Sequence, residues 1–161
     1  MSFLVPLQLN SLLSNQNIMI SYQTEGVEKP KICTRRTSKW IKEIANSHNK
    51  KIGEIAYIFC SDEKILQINK EYLKHDYYTD IITFDYTEDD KISGDIFISL
   101  ETVKSNSEQF GTDYYDELSR VIIHGILHLC GFKDKEPSAK AKMTDEENKA
   151  LSAMSEKGIK K

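Results

Sequence analysis

The stretch VIIHGILHLCGFKD, residues 121–134, sets His124 and His128 four positions apart inside apolar sequence. A helix through it carries both imidazoles on one face, a single turn apart, where they can meet one ion. Cys130 falls on nearly the opposite face and cannot join the pair without unwinding the turn. Gly131 stands just past the last periodic residue, where a left-handed conformation ends a helix and turns the chain back. Asp134 on the returning loop completes the pattern HxxxHxxGxxD: two imidazoles from a rigid helix, one carboxylate from a loop, and a fourth tetrahedral position left for water. An open position of that kind marks a catalytic metal site. Zinc, one ion per chain, suits the donors best, with Ni, Mn and Fe as alternatives. The competing reading, two core histidines spaced by coincidence, leaves the glycine and the aspartate unexplained.

The residue after the first histidine narrows the chemistry. Zinc peptidases built on HExxH carry their general base there, as a glutamate, whereas this chain has Gly125. A peptidase mechanism loses its base. What is left is a metal that acidifies water and polarises an oxyanion of the substrate, which serves phosphodiester hydrolysis as well as any other hydrolysis.

Working outward, the flanking segments predict an α+β domain covering residues 1–161, with a mixed sheet of about four strands, about five helices and the metal site at the end of one of them. Residues 17–26 and 54–60 read as strands, and a helix starts at Thr37 with a Thr or Ser cap and Trp40, Ile41, Ile44 and Ala45 facing inward. Ser61 and Asp62 cap a helix over EKILQINKEYL. IITFDY (81–86) and GDIFISL (94–100) read as neighbouring strands of a hairpin. A helix follows from Glu101 to Phe110, stopped by Gly111, with Thr112 capping the next, from about Asp113 to Cys130. From Ser138 the chain reads as an amphipathic helix fraying into a lysine-rich end.

Composition, 39% hydrophobic and 29% charged, excludes a fibrous or disordered chain. No run reaches the roughly 20 apolar residues of a membrane span, and MSFLVPLQLN lacks the features of a signal peptide, so a cytoplasmic protein is expected. Three cysteines, Cys33, Cys60 and Cys130, with no CxxC pair predict reduced core thiols. A net charge of −3 argues against nucleic acid on average, but residues 29–51 hold eight basic side chains against one acid, Glu43. That asymmetry permits a polyanion-facing side, or a solvated basic helix face.

HGILHLCGFKD resembles the signature HGxLHLxGYDH of the YbeY family of metal-dependent endoribonucleases. INKEYLKHDYYTDIITF, residues 68–84, is similar to that family's LNxxYRxxDxPTDVLSF segment, and GDIFIS, residues 94–99, to its GDIxIS strand. Three linked motifs in order are far more specific than any one. The resemblance implies a zinc-dependent endoribonuclease acting on ribosomal RNA and the small ribosomal subunit, in maturation of the 16S RNA 3′ end and in ribosome quality control. It makes His124 and His128 metal ligands, His124 catalytic through its metal, and sets Asp134 where the family usually has a third histidine. It also shows a departure: Leu73 stands where the family usually has a groove arginine. Lys74 is the nearest substitute for contacting phosphate, with Lys133 and the 29–51 segment as further candidates, although lysine lacks the bidentate fork of arginine. Asp80 is the motif acid closest to a proton-handling role, with a turn-capping role as the plainer reading. Asp95 reads as structural. Glu117 lies on the face of His124, as a neighbour of the ligands or in a surface ion pair. His48 and His75 suggest no special role. The alternative function is a ribosome-assembly or RNA-binding factor whose metal is mainly structural.

Overall fold

The structure is a computed structural model and describes residues 19–74 and 79–161. Its architecture is α+β, as the element pattern predicts. Strand β1 (Ile20–Thr24) leads through helix α1 (Thr34–Ser47) to β2 (Lys51–Cys60), and α2 (Asp62–Ile68) follows. After a π-helical turn, Asn69–Leu73, come β3 (Ile81–Asp85) and β4 (Lys91–Ser99), then helices α3 (Leu100–Phe110), α4 (Tyr114–Leu129) and α5 (Pro137–Ser152). The sheet order is β1-β2-β4-β3, with β2 parallel to both β1 and β4, and β3 antiparallel to β4 at the edge. Every residue of β2 from Ile55 to Cys60 is buried, as a strand covered on both faces requires. Among the described residues, no helix is long and apolar enough to cross a membrane.

Three close contacts seat α4 on this sheet. The buried Tyr57 hydroxyl of β2 donates to the Ile122 carbonyl at 2.9 Å. Gly125 turns its bare Cα to the sheet, where a Cβ would stand 3.0 Å from the Ile96 side chain and 3.2 Å from that of Ile81. Gly94 of β4 lets β3 and the end of α4 close in: a Cβ there would lie 2.4 Å from the Phe84 carbonyl oxygen and 3.1 Å from Leu129. Helix α1 packs Thr37, Trp40, Ile41, Ile44 and Ala45 inward, and the Trp40 indole donates to the Ala150 carbonyl of α5 at 2.8 Å.

Several details depart from expectation, each for a local reason. Helix α1 begins at Thr34 rather than Thr37, with Cys33 at its N-cap; the Thr37 hydroxyl donates to the Cys33 carbonyl, so it bonds back along the helix instead of capping it. Ser61 does cap α2, accepting from the Lys64 N–H at 3.3 Å, but the helix widens into the π-helical turn after Ile68. Asp113, not Thr112, caps α4, its carboxylate accepting from the N–H groups of Tyr115 and Asp116. The C-terminal lysines do not fray: Lys160 forms an antiparallel bridge with Ile32, and Ile159 is buried. The three cysteines are free thiols, but only Cys60 is a buried core residue; Cys33, at the N-cap of α1, and Cys130, at the end of α4, are partly exposed. His75 lies outside the described residues.

Asp95 is 1% exposed, far from water for a carboxyl. Its Oδ2 accepts from the Tyr86 hydroxyl at 3.3 Å, while Oδ1 is buried with no partner. Burial pushes the group up to about 6, against the smaller lowering effect of Tyr86. A carboxyl raised in the folded state favours folding below its unfolded value near 3.8, and that contribution is lost as pH rises through about 6. An Asp95→Asn variant lacks this titration. Its stability relative to the parent should therefore rise from pH 4 to pH 7, by at most roughly 3 kcal/mol. Parallel stability curves in chemical denaturation across that range would refute the assignment.

Candidate metal centre and its cavity

Helix α4 presents His124 and His128 from one face, with ring centroids 4.5 Å apart. The chain leaves the helix through Gly131, at φ 106°, a conformation that favours glycine, and returns with Phe132 and Asp134. Asp134 Oδ2 then lies 3.2 Å from His124 Nε2 and 3.3 Å from His128 Nε2. One donor atom from each of the three residues falls within 4.8 Å of the others, a set able to hold a metal ion.

The opposite edge of each ring is occupied. His128 Nδ1 is 2.9 Å from the Phe132 carbonyl, and His124 Nδ1 is 2.6 Å from Glu147 Oε2. A carbonyl or a carboxylate only accepts, so each Nδ1 carries a proton, and in the neutral form of either ring Nε2 is the nitrogen that could bind an ion. Glu147 is held in turn by Arg120, whose guanidinium donates to its Oε1 at 2.9 Å and to Asn148 at 2.8 Å. Burial works against charge on Glu147, but the bonds from His124 and Arg120 outweigh it and keep the carboxyl below its ordinary range. Burial likewise pushes His124 down, yet Glu147, helped by Asp134 and Asp80, carries the ring above its usual value. His128 is lowered, by burial and then by its neighbour His124.

The three donors open into a cavity of about 800 Å³. Its wall includes Ile81, Thr83 and Asp85 of the edge strand β3. The Ser99 N–H donates to the Asp80 carbonyl and the Tyr86 N–H to the Ser93 carbonyl, which fixes the alternation: Ile82 and Phe84 bond to β4, and the backbone of Ile81, Thr83 and Asp85 faces outward. Asp80 and Glu117 also line the wall. Burial raises both carboxyls; His124 partly offsets this for Asp80, and Arg120 does so for Glu117. Cations reach the cavity from Arg120, Lys133, Lys135 and Lys140.

His124, His128 and Asp134 are thus brought together, and Asp80 and Glu117 stand in the same cavity. Lys74 does not line it. That residue is exposed, in a left-handed conformation at φ 55°, one position beyond Leu73, which does form part of the wall. Asp95 is absent from the lining. His48 sits 3.4 Å from Glu146 and edge-on to Phe132, with ring centroids 5.0 Å apart, so it buttresses the residue whose carbonyl orients His128. Sequence reasoning missed Glu147 and Arg120. Arg120, four residues before His124 on the same face, was open to reading; Glu147 has no local signal, because only the packing of α5 on α4 brings it to the ring.

Replacing Glu147 with Gln should weaken metal binding about 10- to 100-fold at neutral pH, measured by competition with a chelator. Protons compete with metal for Nε2, and Glu147 is what lifts His124 above its usual value, so the acid fall-off in affinity should also move to lower pH in the variant. Unchanged affinity and an unchanged fall-off would show that Glu147 does not orient the ring.

The family model described as Endoribonuclease YbeY matches residues 20–155. A protein of Bacteroides thetaiotaomicron named Endoribonuclease YbeY is 64% identical over 132 residues, covering 82% of this chain and 96% of that protein. One of the same name from Porphyromonas gingivalis strain W83 is 54% identical over 132 residues, covering 82% and 87%. Among solved structures, the solution structure of TM1509 from Thermotoga maritima superposes with a TM-score of 0.60 at 26% identity, covering 83% of this chain and 87% of that one. With a family match across nearly all of the described residues and relatives above half identity, the chain belongs to the endoribonuclease YbeY family.

Proposed function

We propose that this chain is a zinc-dependent endoribonuclease of the cytoplasm, cutting single-stranded ribosomal RNA in maturation of the 16S 3′ end and in ribosome quality control. The convergence of His124, His128 and Asp134 on one point of a cation-bearing cavity is the observation that carries this reading. The donors are those zinc accepts, and both rings are already turned to offer Nε2. The chemistry such an ion supplies is acidification of water and neutralisation of charge on phosphoryl oxygens.

The residues of the chain do the rest. His124 is catalytic as a ligand at the reacting centre, held by Glu147. Asp80, which lines the same cavity as His124 and whose carboxyl is raised by burial, accepts a proton from the attacking water and returns it to the leaving oxygen. Lys133, Lys135 and Lys140 hold phosphates along the cavity, and Lys74 makes an outer contact beyond Leu73. The outward N–H groups of β3 offer further hydrogen bonds to an extended single strand. A peptidase reading has no comparable support, because Gly125 faces Ile96 and Ile81 rather than the donors.

One observation favours a second reading, an RNA-binding assembly factor with a structural metal. Leu73 lines the cavity where an arginine is expected, and Arg120 is engaged by Glu147 and Asn148. Turnover separates the two. Metal-loaded protein should cleave a 3′-extended small-subunit RNA precursor, His124→Ala should lose the metal and at least about 1000-fold in rate, and Asp80→Asn should lose about 100-fold in kcat with KM little changed. Binding that survives chelation without any turnover would establish the assembly factor. Cleavage at the parental rate by metal-free His124→Ala would refute the site itself.

A further inference from the structure

The basic segment 29–51 has no part in the cavity, but the fold gives it neighbours that sequence order hides. The C-terminal residues return across the start of α1: the Cys33 N–H donates to the Ile159 carbonyl at 2.6 Å and the Lys161 N–H to the Lys31 carbonyl at 2.9 Å. Arg36 ties the same segment down through the carbonyls of Gly158, at 3.1 Å, and Lys160. Backbone groups and Ile159 anchor the tail, so the side chains of Lys157, Lys160 and Lys161 stay exposed beside Lys29 and Lys31. Lys160 reaches over the Tyr115 ring, 5.2 Å from its centroid.

Helix α1 continues this surface. Arg35, Lys39 and Lys42 are exposed at i, i+4 and i+7, a single stripe opposite the buried Trp40, Ile41 and Ile44 face, with Glu43 the one acid of the helix. Fourteen residues span about 21 Å, room for several nucleotides. The far end of the helix meets the cavity. There His48 packs on Phe132, which lines the cavity wall, and Lys50 lies near enough to Cys130 to offset part of the upward push that burial gives that thiol.

We propose that the exposed face of α1 and the returning C-terminal segment form a second contact for the substrate: a phosphate track for single-stranded RNA leaving the cavity past Phe132. It rests on the RNA reading above. Point charges in a row recognise a polyphosphate backbone rather than a particular base. A membrane surface fits less well, because among the described residues the exposed large apolar side chains are Met19, Tyr72 and Phe110, none of them on α1. The track would give the enzyme affinity for long, unpaired substrates without altering chemistry at the cut.

The test compares metal-loaded parent with the triple variant Arg35→Gln, Lys39→Gln, Lys42→Gln, using fluorescence anisotropy with single-stranded RNAs of about 6 and about 30 nucleotides. The parent should bind the long RNA more tightly. The variant should lose about tenfold on the long RNA and little on the short one, its log–log salt slope should fall by about 2, and it should cleave the short RNA at the parental rate. A double variant Lys39→Arg, Lys42→Arg should keep the length effect. A triple variant that binds long RNA as tightly as the parent, or loses equally on both lengths, overturns the track, as does a parent with no length effect or one that captures phosphatidylglycerol vesicles in preference to long RNA. A parent that cuts neither RNA but shows a length effect the variant lacks supports the track while refuting the nuclease reading.

Discussion

Two hydrogen bonds on the outer edges of the imidazoles decide what this centre can do. The Phe132 carbonyl and the Glu147 carboxylate both accept, so each ring carries a proton on Nδ1, and Nε2 is the nitrogen that could bind an ion. The two Nε2 atoms then face one oxygen of Asp134. The fold thus sets the orientation of the rings, and ordering entropy that binding an ion would otherwise cost would already be lost in folding. The same arrangement divides charge between the rings. Adjacent imidazoles in a half-buried setting do not both protonate readily, which is why Glu147 and its neighbours raise His124 while burial and His124 lower His128.

Everything that seats α4 serves those bonds. Gly125 and Gly94 remove the side chains that would hold helix and sheet apart, and the Tyr57 hydroxyl fixes the helix from the sheet side. Close seating turns the glycine face inward and leaves the histidine face beside β3, whose outward backbone completes the cavity. Gly125 thus has a packing role in the very position where a peptidase would need a base. Helix α5 closes the arrangement by bringing Glu147 against His124, and α1 buttresses the return loop through His48 and Phe132.

What the sequence revealed follows the range of the interactions concerned. The i, i+4 spacing of His124 and His128, the turn at Gly131 and the reach of Asp134 are local, and they were legible because a helix and a left-handed glycine have fixed geometry. The alternating and apolar runs marked all four strands, and the acidic turn between residues 86 and 91 marked the hairpin. The order β1-β2-β4-β3 was not legible, since parallel pairing across a helix leaves no local trace. Glu147 escaped for the same reason, being 23 residues from His124. The C-terminal lysines were misread because their anchor, Ile159 with the carbonyls that Arg36 holds, depends on a partner at the other end of the chain. Lys74 was chosen by sequence adjacency to Leu73, but the π-helical turn ends there and carries its side chain out of the cavity lining.

The central claim is that one ion is gripped by two imidazoles and one carboxylate. X-ray absorption at the metal edge of protein loaded with a single equivalent of zinc reads the donor set directly. The account predicts a first shell of nitrogen and oxygen only, near 2.0–2.1 Å, with outer-shell scattering from two imidazole rings. A sulfur shell near 2.3 Å, drawing in Cys130, or a shell without imidazole scattering would contradict it.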